Sequence, residues 1–102
     1  MANAFKNYTA TDVGIVGTLA YTVPADTTAV MIGCNLANTT SDAIVVDVEC
    51  ANAYLIKSVS IPTGSALSVL DGKIILEAGD TVVVTSDNAT SCDVILSVLE
   101  QT

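Results

Sequence analysis

Few of the side chains that commonly do chemistry in proteins occur in this 102-residue sequence. It has no histidine, so the usual general base and the commonest metal ligand are missing. The three cysteines, Cys34, Cys50 and Cys92, have no basic neighbour to lower a thiol pKa, and their spacing is not that of a zinc site. We interpret them as buried, reduced thiols, with one disulfide and one free thiol as the alternative.

Eleven acidic residues are the remaining candidates for catalysis or metal binding. A glycoside hydrolase needs two carboxyl groups across one bond, and an EF-hand needs a fixed spacing that does not occur here. Most of the aspartates instead fall singly in predicted turns, where their side chains bond the local backbone: Asp12, Asp26, Asp42, Asp71, Asp80 and Asp87. The sequence also lacks a glycine-rich phosphate loop. It therefore predicts a protein that is not an enzyme, with no catalytic residue, metal ligand or cofactor.

The charge balance argues against two classes of partner. Formal net charge is −8, with three lysines and no arginine. Nucleic acid and anionic membranes attract clustered Lys and Arg, so neither is an expected partner. The first ten residues lack the apolar stretch of a signal peptide, and we expect the chain to be synthesised in the cytoplasm.

The composition favours β structure in one domain spanning residues 1–102. Val, Ile and Thr make up about a third of the chain, and these residues fit a pleated strand better than a helix. Turn signals recur every 8–12 residues or so, which is typical of a sandwich or barrel. We predict an antiparallel two-sheet sandwich of about eight or nine strands, jelly-roll-like, with an immunoglobulin-like sandwich as the alternative. Residues 1–12 are predicted to be either the first strand or an arm that reaches a neighbour.

Alternating hydrophobic residues predict which strand faces point inward. One face is expected to cover the core in each of four segments: Val30, Ile32, Cys34 and Leu36; Ile44, Val46, Val48 and Cys50; Val82 and Val84; Val94, Leu96 and Val98. Asp71-Gly72, between two apolar runs, predicts a tight hairpin turn because both of its residues tolerate positive φ.

The opposite strand faces are unusually apolar for a monomer. Hydrophobic residues recur there, and only 14% of the chain is charged where about 25% is ordinary. One explanation is scattered surface hydrophobes, or a β-bulge that shifts the alternation. The other is a contact with another subunit, because interface cores are depleted in charge. The candidate interface residues are Phe5, Tyr8, Met31, Val45, Ile75, Val83, Ile95 and Leu99.

Several segments resemble those of known proteins. They are Met-Ala-Asn-Ala-Phe-Lys-Asn at 1–7, Tyr-Thr-Val-Pro-Ala-Asp-Thr-Thr-Ala-Val at 21–30, Asn-Leu-Ala-Asn-Thr-Thr at 35–40, Ile-Pro-Thr-Gly-Ser at 61–65, Ile-Leu-Glu-Ala-Gly-Asp-Thr-Val at 75–82 and Leu-Ser-Val-Leu-Glu at 96–100. The chain resembles small virion structural proteins of tailed bacteriophages, of the cyanophage and marine-phage type, including capsid decoration and fibre-like β domains. These motifs describe strands and turns, so they specify a fold better than a role.

The resemblance implies a virion protein that binds the major capsid protein or another virion protein and stabilises the shell. It also implies a homo-oligomer, with a trimer favoured, located in the virion after synthesis in the host cytoplasm. A tail, fibre or baseplate component with a role in host adsorption is the first alternative. A stand-alone ligand- or carbohydrate-binding module is the second.

Overall fold

The computed structural model describes residues 3–70 and 72–102, and within these ranges the chain forms nine strands and no helix. Their bounds are β1 Asn3–Val13, β2 Thr18–Thr22, β3 Thr28–Asn38, β4 Ile44–Cys50, β5 Ala53–Ile61, β6 Ala66–Ser68, β7 Ile74–Leu76, β8 Thr81–Ser86 and β9 Cys92–Gln101. The predicted all-β class and strand number are confirmed. No helix in the described ranges has the length and apolarity needed to cross a bilayer.

The strands form two antiparallel sheets packed as a sandwich. Sheet I has the order β1-β9-β3-β6, with β7 also paired to β3, and sheet II has the order β2-β8-β4-β5. The pairs are nested: β1 with β9, β2 with β8, β3 with β6 and β7, and β4 with β5. This nested pairing arises when one long antiparallel hairpin, with the β4–β5 turn at its tip, winds around a core. The architecture is a jelly roll, as predicted, and not the immunoglobulin-like alternative.

The core lies between the sheets and comes from alternating positions on facing strands. The predicted inward residues of β4, β8 and β9 are all buried: Ile44, Val46, Val48 and Cys50; Val82 and Val84; Val94, Leu96 and Val98. Asp47 and Glu49 point to the other side of β4 and are half-buried. In these strands, alternation alone predicted the buried face correctly.

In β3 the predicted inward face is wrong for half of its residues, because the strand contains a bulge. Met31 is opposite Val98 on β9, but Gly33 is opposite Ser97, so Ile32 is an extra residue. An extra residue reverses the alternation. Met31 is therefore fully buried in the core, and its assignment to the outer face was wrong. Ile32, predicted to be in the core, is 42% exposed.

The strand pairing predicted around Asp71-Gly72 is not found among the described residues. Asp71 itself lies outside the described residues, but the flanking strands β6 and β7 do not pair with each other. Both pair with β3, β6 at Asn35–Ala37 and β7 at Ala29–Met31. They run in the same direction along one edge of β3 as a single interrupted edge strand.

The predicted first strand is present as the outer strand of sheet I. Met1 and Ala2 lie outside the described residues, and Asn3–Val13 pairs with β9 along most of its length. A two-residue turn, Ala51-Asn52, joins β4 to β5, with φ of 50° and 66° at its two residues. Positive φ at both central positions is typical of a type I′ hairpin turn.

Candidate functional site

An apolar row crosses the outer face of sheet I. Phe5 on β1 is opposite Leu99 on β9, Leu99 is opposite Val30 on β3, and Val30 is opposite Ile75 on β7. Directly opposed side chains on one sheet face lie about 4.5–5.5 Å apart between Cβ atoms, so these four residues are contiguous. Phe5 is 76% exposed and Ile75 is 69% exposed, and the two inner members are half-buried. We call these four residues the apolar row.

Two further hydrophobic residues widen this surface. The β3 bulge places Ile32 on the outer face, where it lines a shallow groove of about 190 Å³ with Phe5, Lys6, Asn7, Ser97 and Val98. In this groove the Ser97 hydroxyl Oγ donates to Asn7 Oδ1 at 2.6 Å, so these two side-chain oxygens are paired with each other. Ile95, two residues before Ser97 on the same face, is 49% exposed. The outer face of sheet I therefore presents an extended apolar surface.

The two outer faces of the sandwich differ in charge. The outward positions of β9 are Asp93, Ile95, Ser97, Leu99 and Gln101, so one carboxylate stands at the far end of the strand. On sheet II the central strand β4 presents Val45, Asp47 and Glu49 to solvent. Asp47 is paired with Lys57 at 3.6 Å, whereas Glu49 forms no ion pair with any residue of the described ranges. Because removal of carboxylates from water is costly, the outer face of sheet I would lose less hydration free energy on being covered than that of sheet II.

The structure separates the eight predicted interface residues into four groups. Phe5, Ile75, Ile95 and Leu99 lie together on the outer face of sheet I. Val45 and Val83 lie on the outer face of sheet II, on the other side of the molecule. Met31 is in the core, and Tyr8 points inward at the sandwich edge. The row also contains Val30, which the sequence analysis placed inside.

Beneath the row, a buried carboxylate fixes β1 to the rest of the sandwich. Glu100 is 4% exposed, and its Oε2 accepts hydrogen bonds from the hydroxyls of Tyr21 at 2.6 Å and Tyr8 at 2.8 Å. Its Oε1 lies 3.1 Å from Lys6 Nζ. The Tyr8 and Tyr21 rings pack at 4.6 Å between centroids. Because these groups come from β1, β2 and β9, the cluster joins both sheets beside Phe5.

The electrostatics of this cluster keep Glu100 ionised. The Tyr21 hydroxyl contributes most to lowering the pKa of Glu100, with further help from Tyr8 and Lys6, and burial opposes it. Burial and the adjacent carboxylate raise the pKa of Tyr21. The sequence analysis did not identify this cluster. One signal was available, since Glu100 continues the inward series Val94, Leu96 and Val98 of β9.

A second concave surface, which we call the edge cleft, lies at the other side of sheet I, between β7 and the β4–β5 hairpin. It encloses about 190 Å³, and its lining is mostly hydrophobic: Cys50, Ala51, Ala53, Tyr54, Leu55, Ile74, Ile75 and Leu76. Ile75 ends the apolar row and forms one wall, and Tyr54, which is 53% exposed, belongs to the opposite wall. The alternation of the sequence did not reveal this cleft, because its walls belong to different sheets.

A third apolar surface was also missed, at the β1–β2 connection. Ile15 and Val16 are 67% and 77% exposed, and Leu19 on β2 is 59% exposed opposite Val83 on β8. This surface is separate from the apolar row and lies on the side of sheet II.

The cysteines are unsuited to nucleophilic chemistry. All three are free and buried, as predicted. Burial raises the pKa of Cys34 and of Cys92 to about 11, and it also raises the pKa of Cys50. Thiols of this kind are almost entirely protonated at neutral pH and are poor nucleophiles. In residues 3–70 and 72–102, no group of three potential ligands is placed to hold a metal ion.

Comparison with known proteins adds no relative: no family model matches the chain, and neither a curated protein nor a solved structure shows significant similarity to it. The functional conclusion therefore rests on the geometry of this chain.

Proposed function

We propose that this protein is a virion structural component, a capsid decoration protein that binds the major capsid protein through the outer face of sheet I. The observation that carries the proposal is the apolar row, four hydrophobic residues in register across the full width of one sheet. A contiguous exposed apolar surface on a protein of net charge −8 is typical of a docking site. Jelly rolls also occur among viral capsid domains.

The fold suits a protein that functions by docking on a larger assembly. Residues of the row lie on paired strands, and the Glu100 cluster holds the outermost strand in place. Docking of such a rigid surface loses little conformational entropy. Negative charge elsewhere, including Asp47 and Glu49 on sheet II, keeps the free protein soluble until a shell presents its binding site.

The strength of docking follows from the area that remains exposed. The exposed fractions of four outward hydrophobic residues add up to between two and three whole side chains: Phe5, Ile32, Ile75 and Ile95. Burial of that much apolar surface stabilises a complex by about 4–7 kcal/mol. Association itself costs about 4–15 kcal/mol. One copy therefore binds weakly on this term alone, and several joined copies bind strongly through avidity.

The test is binding of the purified protein to undecorated capsids of the phage that encodes it. We expect the wild-type protein to sediment with the shells and to raise their melting temperature. Ile95→Glu places a carboxylate in the docking face and should abolish both effects. Val45→Glu places the same charge on the outer face of sheet II, where carboxylates already lie, and should leave both unchanged.

Three results would contradict the proposal. Wild-type protein that fails to sediment with shells at micromolar concentration argues against capsid docking, and immunogold label on the tail of intact particles assigns it to a tail, fibre or baseplate. Equal loss of binding in Ile95→Glu and Val45→Glu would show that the outer face of sheet I is not the docking surface.

A further inference from the structure

We propose that the start of β1 is an exchangeable arm, so that residues 3–10 of one copy leave their own β9 and pair with β9 of a second copy. Reciprocal exchange joins two copies as a dimer with two-fold symmetry. The occupant of the vacated edge of β9 is therefore the same segment of another copy. We call residues 3–10 the arm.

The arm contributes little to the hydrophobic core of its own chain. None of the buried hydrophobic residues in the described part of the chain lies in residues 3–12, and the first of them is Val13. Within the arm, Tyr8 and Ala10 pack against the core, and both are only half-buried. Backbone pairing with β9 and the Glu100 cluster therefore hold the arm in place. A segment fixed in this way can detach while the rest of the sandwich stays folded.

A hinge for this detachment lies at Thr11 and Asp12. These two residues stand opposite the single residue Asp93, because the register shifts between Ala10 and Val13. Asp12 has φ of 58°, a left-handed conformation that is costly for a residue with a Cβ. A short hinge under strain favours exchange of the element beside it, since extension of the hinge releases the strain.

Beyond the hinge, the chain is fixed to the body of the sandwich. Val13 is fully buried, and its carbonyl accepts a hydrogen bond from Ser91 N at 3.0 Å. The Gly14 carbonyl accepts another from Ser86 N at 2.9 Å. A Cβ at Gly14 would lie only 3.2 Å from Ala89 Cα, so the two backbones are closely packed there. Movement at the hinge therefore carries the arm alone and leaves the rest of the sandwich in place.

The length of the hinge determines which ends of the two copies meet. After exchange, Ala10 lies beside β9 of the second copy and Val13 stays in its own, and three residues span at most about 11 Å. The ends of the two sandwiches that carry the hinges must therefore touch. Ile15 and Val16 follow Val13 at this end and are 67% and 77% exposed. Exchange gives these two hydrophobic residues a partner, which is the same pair of residues across the two-fold axis.

The edge of β9 matches the arm residue by residue. Residues 3–10 pair one for one with residues 94–101, without a shift in register. A second copy offers an identical edge, so each arm residue regains the neighbours it has in the monomer, including the hydrogen bond from Tyr8 to Glu100. The apolar row on the outer face of sheet I is the same in both forms. Exchange therefore preserves the native pairing and adds a contact at the hinges, and mass action favours it at high protein concentration.

Disulfide trapping between two variants tests the exchange with purified protein alone. Asn7 and Ser97 are directly opposed on β1 and β9, which is close enough for a disulfide when both are replaced by cysteine. Asn7→Cys and Ser97→Cys are purified separately, mixed at millimolar concentration and oxidised in the native state. Only exchange places position 7 of one variant beside position 97 of the other. We therefore expect a covalent heterodimer of twice 10.4 kDa on a non-reducing denaturing gel.

The control mixture contains Asn3→Cys in place of Asn7→Cys. Position 3 lies opposite Gln101, four residues from Ser97 along β9, and a separation of about 13 Å is too long for a disulfide. The yield of this mixture measures cross-linking by random collision. The Asn7→Cys mixture should exceed it at least about tenfold, because opposed side chains have a high effective concentration.

Tyr8→Phe tests whether opening of the arm controls the rate of exchange. The Tyr8 hydroxyl donates to Glu100 at 2.8 Å, and opening of the arm breaks this hydrogen bond. Introduced into both cysteine variants, Tyr8→Phe should speed formation of the heterodimer about tenfold or more. Tyr54→Phe removes a hydroxyl that lies outside the arm, on β5, and should leave the rate unchanged.

The proposal fails on any of three outcomes. The first is a heterodimer yield no higher than that of the control mixture. The second is a wild-type dimer in sedimentation without this cross-link, which would mean that copies join through another surface. The third is a rate that Tyr8→Phe does not change. Should a cysteine variant fail to fold, as judged by circular dichroism, Thr9→Cys with Ile95→Cys replaces the pair, because these residues are also opposed.

The exchange and capsid docking are tested separately. The cross-linking readout uses no shells, so its failure leaves the outer face of sheet I as a docking surface for the capsid. Loss of shell binding in the docking experiments, in turn, leaves the cross-link between positions 7 and 97 as expected. Failure of one proposal is therefore distinguishable from failure of the other.

Discussion

Glu100 is the residue on which the edge of the sandwich beside Phe5 most depends. Its buried carboxylate accepts a hydrogen bond from the Tyr21 hydroxyl at 2.6 Å. Hydrogen bonds to charged groups contribute about 1.5–3 kcal/mol each to the free energy of unfolding. We expect Tyr21→Phe to lower the free energy of unfolding by about that amount. Tyr54→Phe, at an exposed position, should leave it nearly unchanged. Urea titrations followed by circular dichroism measure both values, and equal effects would contradict this account.

The same carboxylate makes stability depend on pH. The pKa of Glu100 lies below its ordinary value of 4.5 in the folded protein, chiefly because of the Tyr21 hydroxyl. A group with a lowered folded pKa stabilises the protein above its unfolded pKa, and this contribution is lost as the pH falls through the folded pKa. Wild-type protein should therefore exceed Glu100→Gln in stability at neutral pH, and the gap should narrow below pH 4.5.

Comparison with Glu100→Gln isolates this group, because the other carboxylates titrate in both proteins. The measurement is the difference in unfolding free energy at a series of pH values. A gap that stays constant from neutral pH into the acid range would show that Glu100 is not the group responsible.

The cysteines allow a test of the core itself. A pKa of about 11 for Cys34 and Cys92, against an ordinary 9.0, lowers the thiolate fraction at neutral pH by about a hundredfold. Burial also keeps reagent away, so labelling by a thiol reagent should be at least a hundredfold slower than in the denatured chain. All three thiols should react after denaturation. Rapid labelling of native protein would mean that the core opens readily.

At the scale of elements, the β4–β5 hairpin carries avoidable strain. Ala51 has φ of 50°, and a left-handed conformation costs a residue with a Cβ about 1–2 kcal/mol. Ala51→Gly removes this cost but loses chain entropy on folding, so a net gain of about 0.5–1 kcal/mol is expected. Ala53→Gly, two residues later in β5, should destabilise by a similar amount. Thermal denaturation of both variants should therefore show shifts of opposite sign.

The elements also show how far sequence reasoning reaches. Alternation placed the inward faces of β4, β8 and β9 correctly because these strands keep one face toward the core along their whole length. It failed at Met31 and Ile32 because a one-residue bulge leaves no mark in the pattern of hydrophobic residues. The pairing of β6 with β7 expected around Asp71-Gly72 is absent from the described residues for a different reason. Local turn preference was outweighed by pairing of both flanking strands with β3.

The candidate site was harder to predict than the fold. Phe5, Ile75 and Leu99 were identified singly as outward hydrophobic residues, but their alignment in one row depends on the register of four strands from distant parts of the chain. Register of this kind is set by tertiary pairing. The edge cleft and the contacts of Glu100 also join elements from both sheets, so no local pattern specifies them.

The whole molecule is 45 Å long and 20 Å wide, and sheet I is one of its two layers. Such a sheet has one face toward the core of its own molecule and one available to a partner. Along β9 these faces alternate residue by residue, with Leu96 fully buried and Ile95 half-exposed beside it. Two neighbouring residues of similar size therefore differ in role under the proposed function, with Leu96 serving folding and Ile95 serving docking.

Truncation of each residue separates these functions. Leu96→Ala leaves a cavity between the sheets and should lower the free energy of unfolding by about 2–5 kcal/mol. Ile95→Ala should lower it by only about 0.7–1.5 kcal/mol in dilute solution, because about half of its side chain already contacts water. Binding to undecorated shells should respond in the opposite order, with Ile95→Ala the weaker binder at a temperature where both variants are folded. A large loss of stability in Ile95→Ala would mean that this face is already covered in the free protein, and the outer face of sheet I would then be part of the fold and not a surface for a partner.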